Sequence, residues 1–123
     1  MKDQTFYFAY QCLDRIFRDG AFSSLELNKI LRRETNLRKN LFTKIVYGVL
    51  ERNAELEWRV GQYAKKVKPS IMPILKIGIY VISELSYPAP AAVNECVETT
   101  KQIGKSAVSG FVNAVLKNFA RVH

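Results

Sequence analysis

The stretch from Ile71 to Leu85 constrains this chain more than any other. Ile71, Ile74, Leu75, Ile77, Gly78, Ile79, Val81, Ile82 and Leu85 place apolar groups on nearly every side of a helix. A helix of that kind in water must be wrapped by other helices. It does not suit a bilayer, which needs about 20 consecutive apolar residues; Pro73, Lys76, Gly78, Ser83 and Glu84 interrupt it. The β-branched run Ile77 to Ile82 also has strand character. No second such run is available to pair with it, and a lone strand leaves its amides unsatisfied. The stretch therefore reads as a central helix, opened by Pro69, Met72 and Pro73.

The flanking segments supply amphipathic partners. Residues 3–18 carry Phe6, Tyr10, Leu13 and Phe17 at helical spacing, with Asp3 at the positive end of the helix dipole, Arg15 and Arg18 at the negative end, and Gly20 as the stop. Ser23 and Ser24 suit the cap of a second helix, and Glu26 completes a capping box with Ser23; Leu27, Ile30 and Leu31 give it a narrow apolar face. A third helix beginning near Leu37 buries Phe42, Ile45, Val46, Val49 and Leu50, with Gly48 admitting a neighbour. The pattern loses phase near Asn53, and a fourth helix then runs to about Lys66. After Ser86 come two more, joined at Gly104. Val93, Cys96, Val97, Thr100 and Ile103 line the first; Val108, Phe111, Val112, Val115, Leu116 and Phe119 line the second. Pro88 and Pro90 suit a helix entrance, where the missing N–H costs nothing. The expectation is one all-α domain over residues 1–123, a compact bundle of about seven helices.

Cys12 and Cys96 both fall in apolar helical patterns and read as small core residues, which implies a reducing, cytoplasmic setting. The N-terminus lacks the layout of a signal peptide. The formal charge is +8, made of +3 in residues 1–61 and +5 in residues 62–123. A basic excess spread in this way suits a phosphate-bearing partner, and equally suits solvated helix faces.

Catalytic chemistry has little to stand on. There is no glycine-rich phosphate loop, dinucleotide fingerprint or metal-ligand cluster, and the only histidine is the last residue, His123. Glu51, Glu55 and Glu57 read as solvated helix surface. The chain reads as a binding module without a catalytic or metal site.

The stretch from Pro88 to Arg121, PAPAAVNECVETTKQIGKSAVSGFVNAVLKNFAR, resembles the signature of the NusB-like fold. It is most similar to the N-terminal domain of the ribosomal RNA cytosine-C5 methyltransferases of RsmB/Sun type, which show "PAxAAVNEAVELAK" and "GFVNAVLR". Val46 to Leu50 resembles that family's "LVYGTLR", Leu56-Glu57-Trp58 its "LDW", and Leu75 to Tyr80 its "LRLGAYQLL". Glu57 stands in place of the aspartate, and the Arg-Asp that commonly precedes the third helix is Leu37-Arg38 here.

The resemblance implies an all-helical RNA-binding domain accessory to a ribosomal RNA methyltransferase. It implies no cofactor in this chain, and S-adenosylmethionine for a catalytic domain if one follows. Ribosomal RNA and a catalytic domain of the same parent chain are the implied partners. A free antitermination factor, which binds a short RNA with a ribosomal protein, and a helical protein-docking module are the alternatives. Asn94, Glu95 and Asn113 are expected to satisfy backbone groups inside the fold, with a direct RNA contact the alternative for Asn94 and Glu95, and Gly110 to allow close helix contact. The expected RNA contacts are exposed cations. Lys29, Arg32, Arg33, Arg38 and Lys39 surround the turn between the second and third helices; Lys65, Lys66 and Lys68 form a second group; Lys101 and Lys105 flank Gly104. Tyr7, Tyr63, Tyr87 and Trp58 are the candidates for stacking on bases.

Overall fold

In the computed structural model, which describes residues 2–123, the chain forms seven α-helices and, among those residues, no strand. They are α1 (Thr5–Asp19), α2 (Ser23–Arg33), α3 (Lys39–Glu51), α4 (Asn53–Gly61), α5 (Met72–Glu84), α6 (Ala89–Gln102) and α7 (Ser109–Arg121), with a 3-10 turn at Ser106–Val108 before the last. Among the described residues no helix is long and apolar enough to cross a membrane.

α5 is the central helix that its composition demands. It packs against α1, α3, α4, α6 and α7, and Ile74, Leu75, Ile77, Ile79 and Val81 are all buried. Two glycines set how closely its neighbours approach. A Cβ on Gly78 would lie 2.7 Å from Leu116 Cδ1, and one on Gly48 of α3 would collide with the Tyr80 ring. Cys12 and Cys96 are free and buried. Burial pushes the Cys12 thiol up to about 12, and Cys96 contributes only a weak contact to the Ile74 carbonyl at 3.6 Å.

Several sequence expectations are corrected. α1 starts at Thr5 rather than residue 3: Asp3 stays outside, and its Oδ1 accepts the Thr5 N–H at 2.8 Å. The Ser23–Glu26 capping box does not form. Glu26 is buried instead, between Arg15 at 3.3 Å and Lys29 at 3.5 Å, because one cation across the α1–α2 contact and one on its own helix offer a charged group more than a cap does. α4 ends at Gly61, not near Lys66. Its last amides tighten onto Arg59 and Val60, and the chain then runs toward Pro69, which disfavours helix in the residue before it.

The α6–α7 hairpin turns at Gly104, whose φ of 81° is a left-handed conformation open to glycine. Its inner stripe comprises Val93, Cys96, Val112, Val115, Leu116 and Phe119, all buried. Phe111, expected in that stripe, is 39% exposed. Gly110 meets nothing within 4 Å, so it serves no close helix contact.

Candidate nucleic-acid interface

Of the ten expected cations, Lys29 and Arg33 line one groove, Lys66 and Lys68 another hollow, and Arg38 is held in a separate knot of hydrogen bonds. Lys29 and Arg33 line a groove of about 470 Å³ between α1 and α2, together with Tyr7, Tyr10, Gln11, Asp14, Arg15, Glu26, Ile30 and Ile103. Ile103 belongs to the 101–105 hinge, so the segment carrying Lys101 and Lys105 closes this groove. Tyr10 donates its hydroxyl to the Ser70 carbonyl at 2.7 Å, and burial pushes that phenol up to about 12. Next to Ser70 lies a dimple of about 310 Å³ lined by Lys66, Lys68, Ile71, Val108 and Phe111. Local sequence gave no sign that residues 66–71 and 108–111 meet. Lys66 and Lys68 of the second group thus meet the start of α7, while the hinge of the third group borders, through Ile103, the groove that holds Lys29 and Arg33.

Arg38 stands apart. It donates to Asp3 Oδ2 at 2.7 Å and to the Tyr87 hydroxyl at 3.2 Å, while its backbone N–H binds Thr5 Oγ1 at 2.8 Å. Tyr87 precedes α6 and Lys101 lies near its other end, about 20 Å away along a helix of this length. This knot ties the N-terminal segment, the start of α3 and the start of α6. Burial works to raise the Asp3 carboxyl, but the Thr5 hydrogen bonds and Arg38 hold it below its usual value. The Tyr87 hydrogen bond and the Asp3 charge in turn raise Arg38.

Pairing separates the cations further. Lys29, Arg33 and Arg38 each contact a carboxylate. Arg32, Lys39, Lys65, Lys66, Lys68, Lys101 and Lys105 are exposed and have no carboxylate partner among the described residues.

A groove between α6 and α7 lies outside all ten expected cations. It measures about 610 Å³ and is lined by Ala89, Pro90, Val93, Asn94, Val97, Asn113, Lys117, Ala120 and Arg121. Asn94 is exposed and Asn113 half-buried. Neither amide makes a side-chain hydrogen bond among the described residues, which corrects the expectation that they satisfy backbone groups. The same holds for the Glu95 carboxylate, half-buried and raised first by desolvation and then by Asp3. Two amides, which both donate and accept, therefore sit over an apolar floor beside two cations. The signal was present in the spacing: Asn113, Lys117 and Arg121 recur every four residues along one edge of the α7 buried stripe.

Among the aromatics considered for stacking, Tyr63 is packed edge-on against Phe119 at 5.8 Å, and Tyr87 against Phe6 at 5.4 Å. Tyr7 is half-buried, and its hydroxyl accepts from Gln11 at 2.7 Å. Trp58 is 66% exposed.

Comparison with known proteins agrees with this architecture. The chain is 29% identical over 119 residues to the probable ribosomal RNA small subunit methyltransferase B of Bacillus subtilis, covering 92% of this chain and 27% of that protein. It is 30% identical over 115 residues to ribosomal RNA small subunit methyltransferase B of Photorhabdus laumondii, again covering 27% of the relative. The chain thus spans about a quarter of these methyltransferases. It is 34% identical over 86 residues to the transcription antitermination protein NusB of Lactococcus lactis, or 65% of this chain and 45% of that one. Its fold superposes on T. maritima NusB with a TM-score of 0.84 at 18% identity, covering 100% of this chain and 94% of the other. The NusB family model matches residues 6–121, and this chain is a member of the NusB family.

Proposed function

We propose that this chain is an RNA-binding accessory domain of the kind found in ribosomal RNA cytosine-C5 methyltransferases, holding ribosomal RNA for a catalytic region. The observation that carries the reading is the α6–α7 groove. Asn94 and Asn113 present unpartnered amides beside Lys117 and Arg121. Amides hydrogen-bond to base edges of unpaired RNA, while cations hold its phosphates. The unpaired lysines of the hinge side add affinity that is blind to sequence and sensitive to salt.

The domain's share of the reaction is binding rather than chemistry. Among the described residues no groove joins a carboxylate to a glycine-rich strand–helix turn, and no step through S-adenosylmethionine is assigned to them. The match to a free NusB supports a second reading, a stand-alone factor that binds one short RNA.

Binding of fragments of small-subunit ribosomal RNA, measured by fluorescence anisotropy at rising salt, tests the proposal. The expected result is affinity at low salt that falls log-linearly with salt and weakens in an Asn94→Ala, Asn113→Ala chain. Absence of binding at low salt overturns it.

A further inference from the structure

The α1–α2 groove holds a carboxylate that the fold leaves without a donor. Among the described residues, Asp14 Oδ1 is the buried side-chain oxygen with no hydrogen-bond partner. Arg18 stands 3.8 Å from it, beyond hydrogen-bond reach. Such an acceptor gains from any donor that a ligand brings. Asp14 lines the groove of about 470 Å³ and its side chain is 25% exposed, and rotation of a carboxylate about its Cβ–Cγ bond is soft. The groove around it is cationic. Arg15 and Lys29 share the single carboxylate of Glu26, at 3.3 and 3.5 Å, and each side chain stays more than half exposed. Arg33 also lines the groove and is paired with Glu34, which does not.

We infer that Asp14 reads an unpaired guanine, its carboxylate accepting the N1–H and N2–H of the base while Arg15 and Lys29 hold the flanking phosphates. The inference rests on the RNA reading and gives this groove a base preference that cations alone do not supply. Chemistry singles out guanine. Its Watson–Crick edge sets two N–H donors side by side, which matches the two oxygens of a carboxylate. Adenine and cytosine place one amino group beside a ring-nitrogen acceptor, and uracil places one N–H between two carbonyls. Each of these turns a lone pair toward the carboxylate. An arginine side chain of a partner protein also offers paired donors. Arg15, Lys29 and Arg33 repel its charge, whereas they attract the phosphates that accompany a base.

The test uses fluorescein-labelled uridine hexamers carrying one central guanosine, inosine or adenosine. Anisotropy at low salt measures binding, and thermal melting confirms that each chain is folded. The parent should bind the guanosine oligomer about tenfold more tightly than the adenosine one, the scale of one good bidentate contact. Inosine, which lacks the N2 amino group, should fall between them. Asp14→Asn keeps the shape and removes the charge. It should bind the guanosine oligomer more weakly than the parent does, yet bind the adenosine oligomer at least as well, because a negative charge has left a cationic groove. A merely structural role would not produce these opposite signs. Equal parent affinity for the three oligomers overturns the inference while leaving RNA binding intact, and that arm needs no variant. An Asp14→Asn chain that stays guanine-selective, or tightens on all three oligomers alike, overturns it as well. Binding of a labelled hexa-arginine peptide that Asp14→Asn abolishes, with no guanine preference in the parent, assigns the carboxylate to protein instead. If neither the oligomers nor ribosomal RNA fragments bind, the RNA reading itself fails and takes the inference with it.

Discussion

Lys76 and Lys66 carry the same side chain ten positions apart and occupy opposite environments. Lys76 is 3% exposed. Its ammonium donates to Asn53 Oδ1 at 2.6 Å and Glu57 Oε1 at 3.1 Å and lies 4.8 Å from the centre of the Phe17 ring. It ties α5 to α4 and directs two of its three N–H donors to partners within the fold. Lys66, with Lys68, is exposed, has no carboxylate partner among the described residues, and rims an apolar dimple. One lysine serves the fold and the other is available to a ligand. Net charge therefore counts cations without locating function; which of them already has a partner is what decides.

The largest expected effect comes from breaking the buried side of this contrast. Lys76→Ala removes both hydrogen bonds and opens a void, and should lower stability by about 2–3 kcal/mol, less than a fully buried pair because Glu57 is solvent-facing. Chemical denaturation checks this. RNA affinity per folded molecule should not change, and a loss there would place Lys76 on the wrong side of the comparison.

The free side should respond in the opposite way. Lys66→Glu with Lys68→Glu should leave the melting temperature within a degree or two while lowering RNA affinity. The slope of log affinity against log salt should fall by about 1.4, since each contact with single-stranded RNA contributes roughly 0.7. An unchanged slope takes these lysines out of the interface.

A smaller effect concerns Asp3. Its carboxyl is held below its usual value, so the Asp3–Arg38 contact stabilises the fold at neutral pH. That contribution is lost as pH falls from the ordinary value of 3.8 through the lowered folded one. Asp3→Asn should therefore melt lower than the parent at neutral pH and converge with it in acid. Parallel curves at all pH values would contradict this.

The smallest effect is expected at the pair itself. The family motifs that this chain resembles carry Asp and Arg where it has Glu57 and Lys76, and the structure brings these two departures together at 3.1 Å. Lengthening the acid compensates for exchanging arginine for lysine. A Glu57→Asp, Lys76→Arg chain should differ from the parent by under about 1 kcal/mol, while either single change costs more. Denaturation of the three variants measures that coupling.

Much of the fold was legible because it is written in local periodicity. The all-round apolar character of α5, the stripes of α1, α3 and α7, and the stop at Gly20, φ 69°, each depend on residues within a turn or two. The misses have a common cause. Local sequence offers Glu26 only the nearby Ser23 as a capping partner, whereas Arg15 on another helix claims it. The spacing of Phe111 fits the core stripe, yet it sits at an edge of that stripe that stays partly open beside Lys66, Lys68 and Ile71. The site was less legible still. Asn94 and Asn113 are recognisable as motif residues, but their availability is a tertiary fact, set by how α6 and α7 come together around Val93 and Val97. Arg38 looked like the other cations until Asp3 and Tyr87 were seen to hold it.

The central claim is that the open amides and cations of the α6–α7 groove bind RNA. Anisotropy of a labelled small-subunit ribosomal RNA fragment with the parent, an Asn94→Ala, Asn113→Ala chain and a Lys117→Glu, Arg121→Glu chain tests it most directly. The account predicts that the amide variant loses affinity with an unchanged salt slope, while the charge variant loses affinity and slope together. Parent-like binding by both folded variants would contradict it.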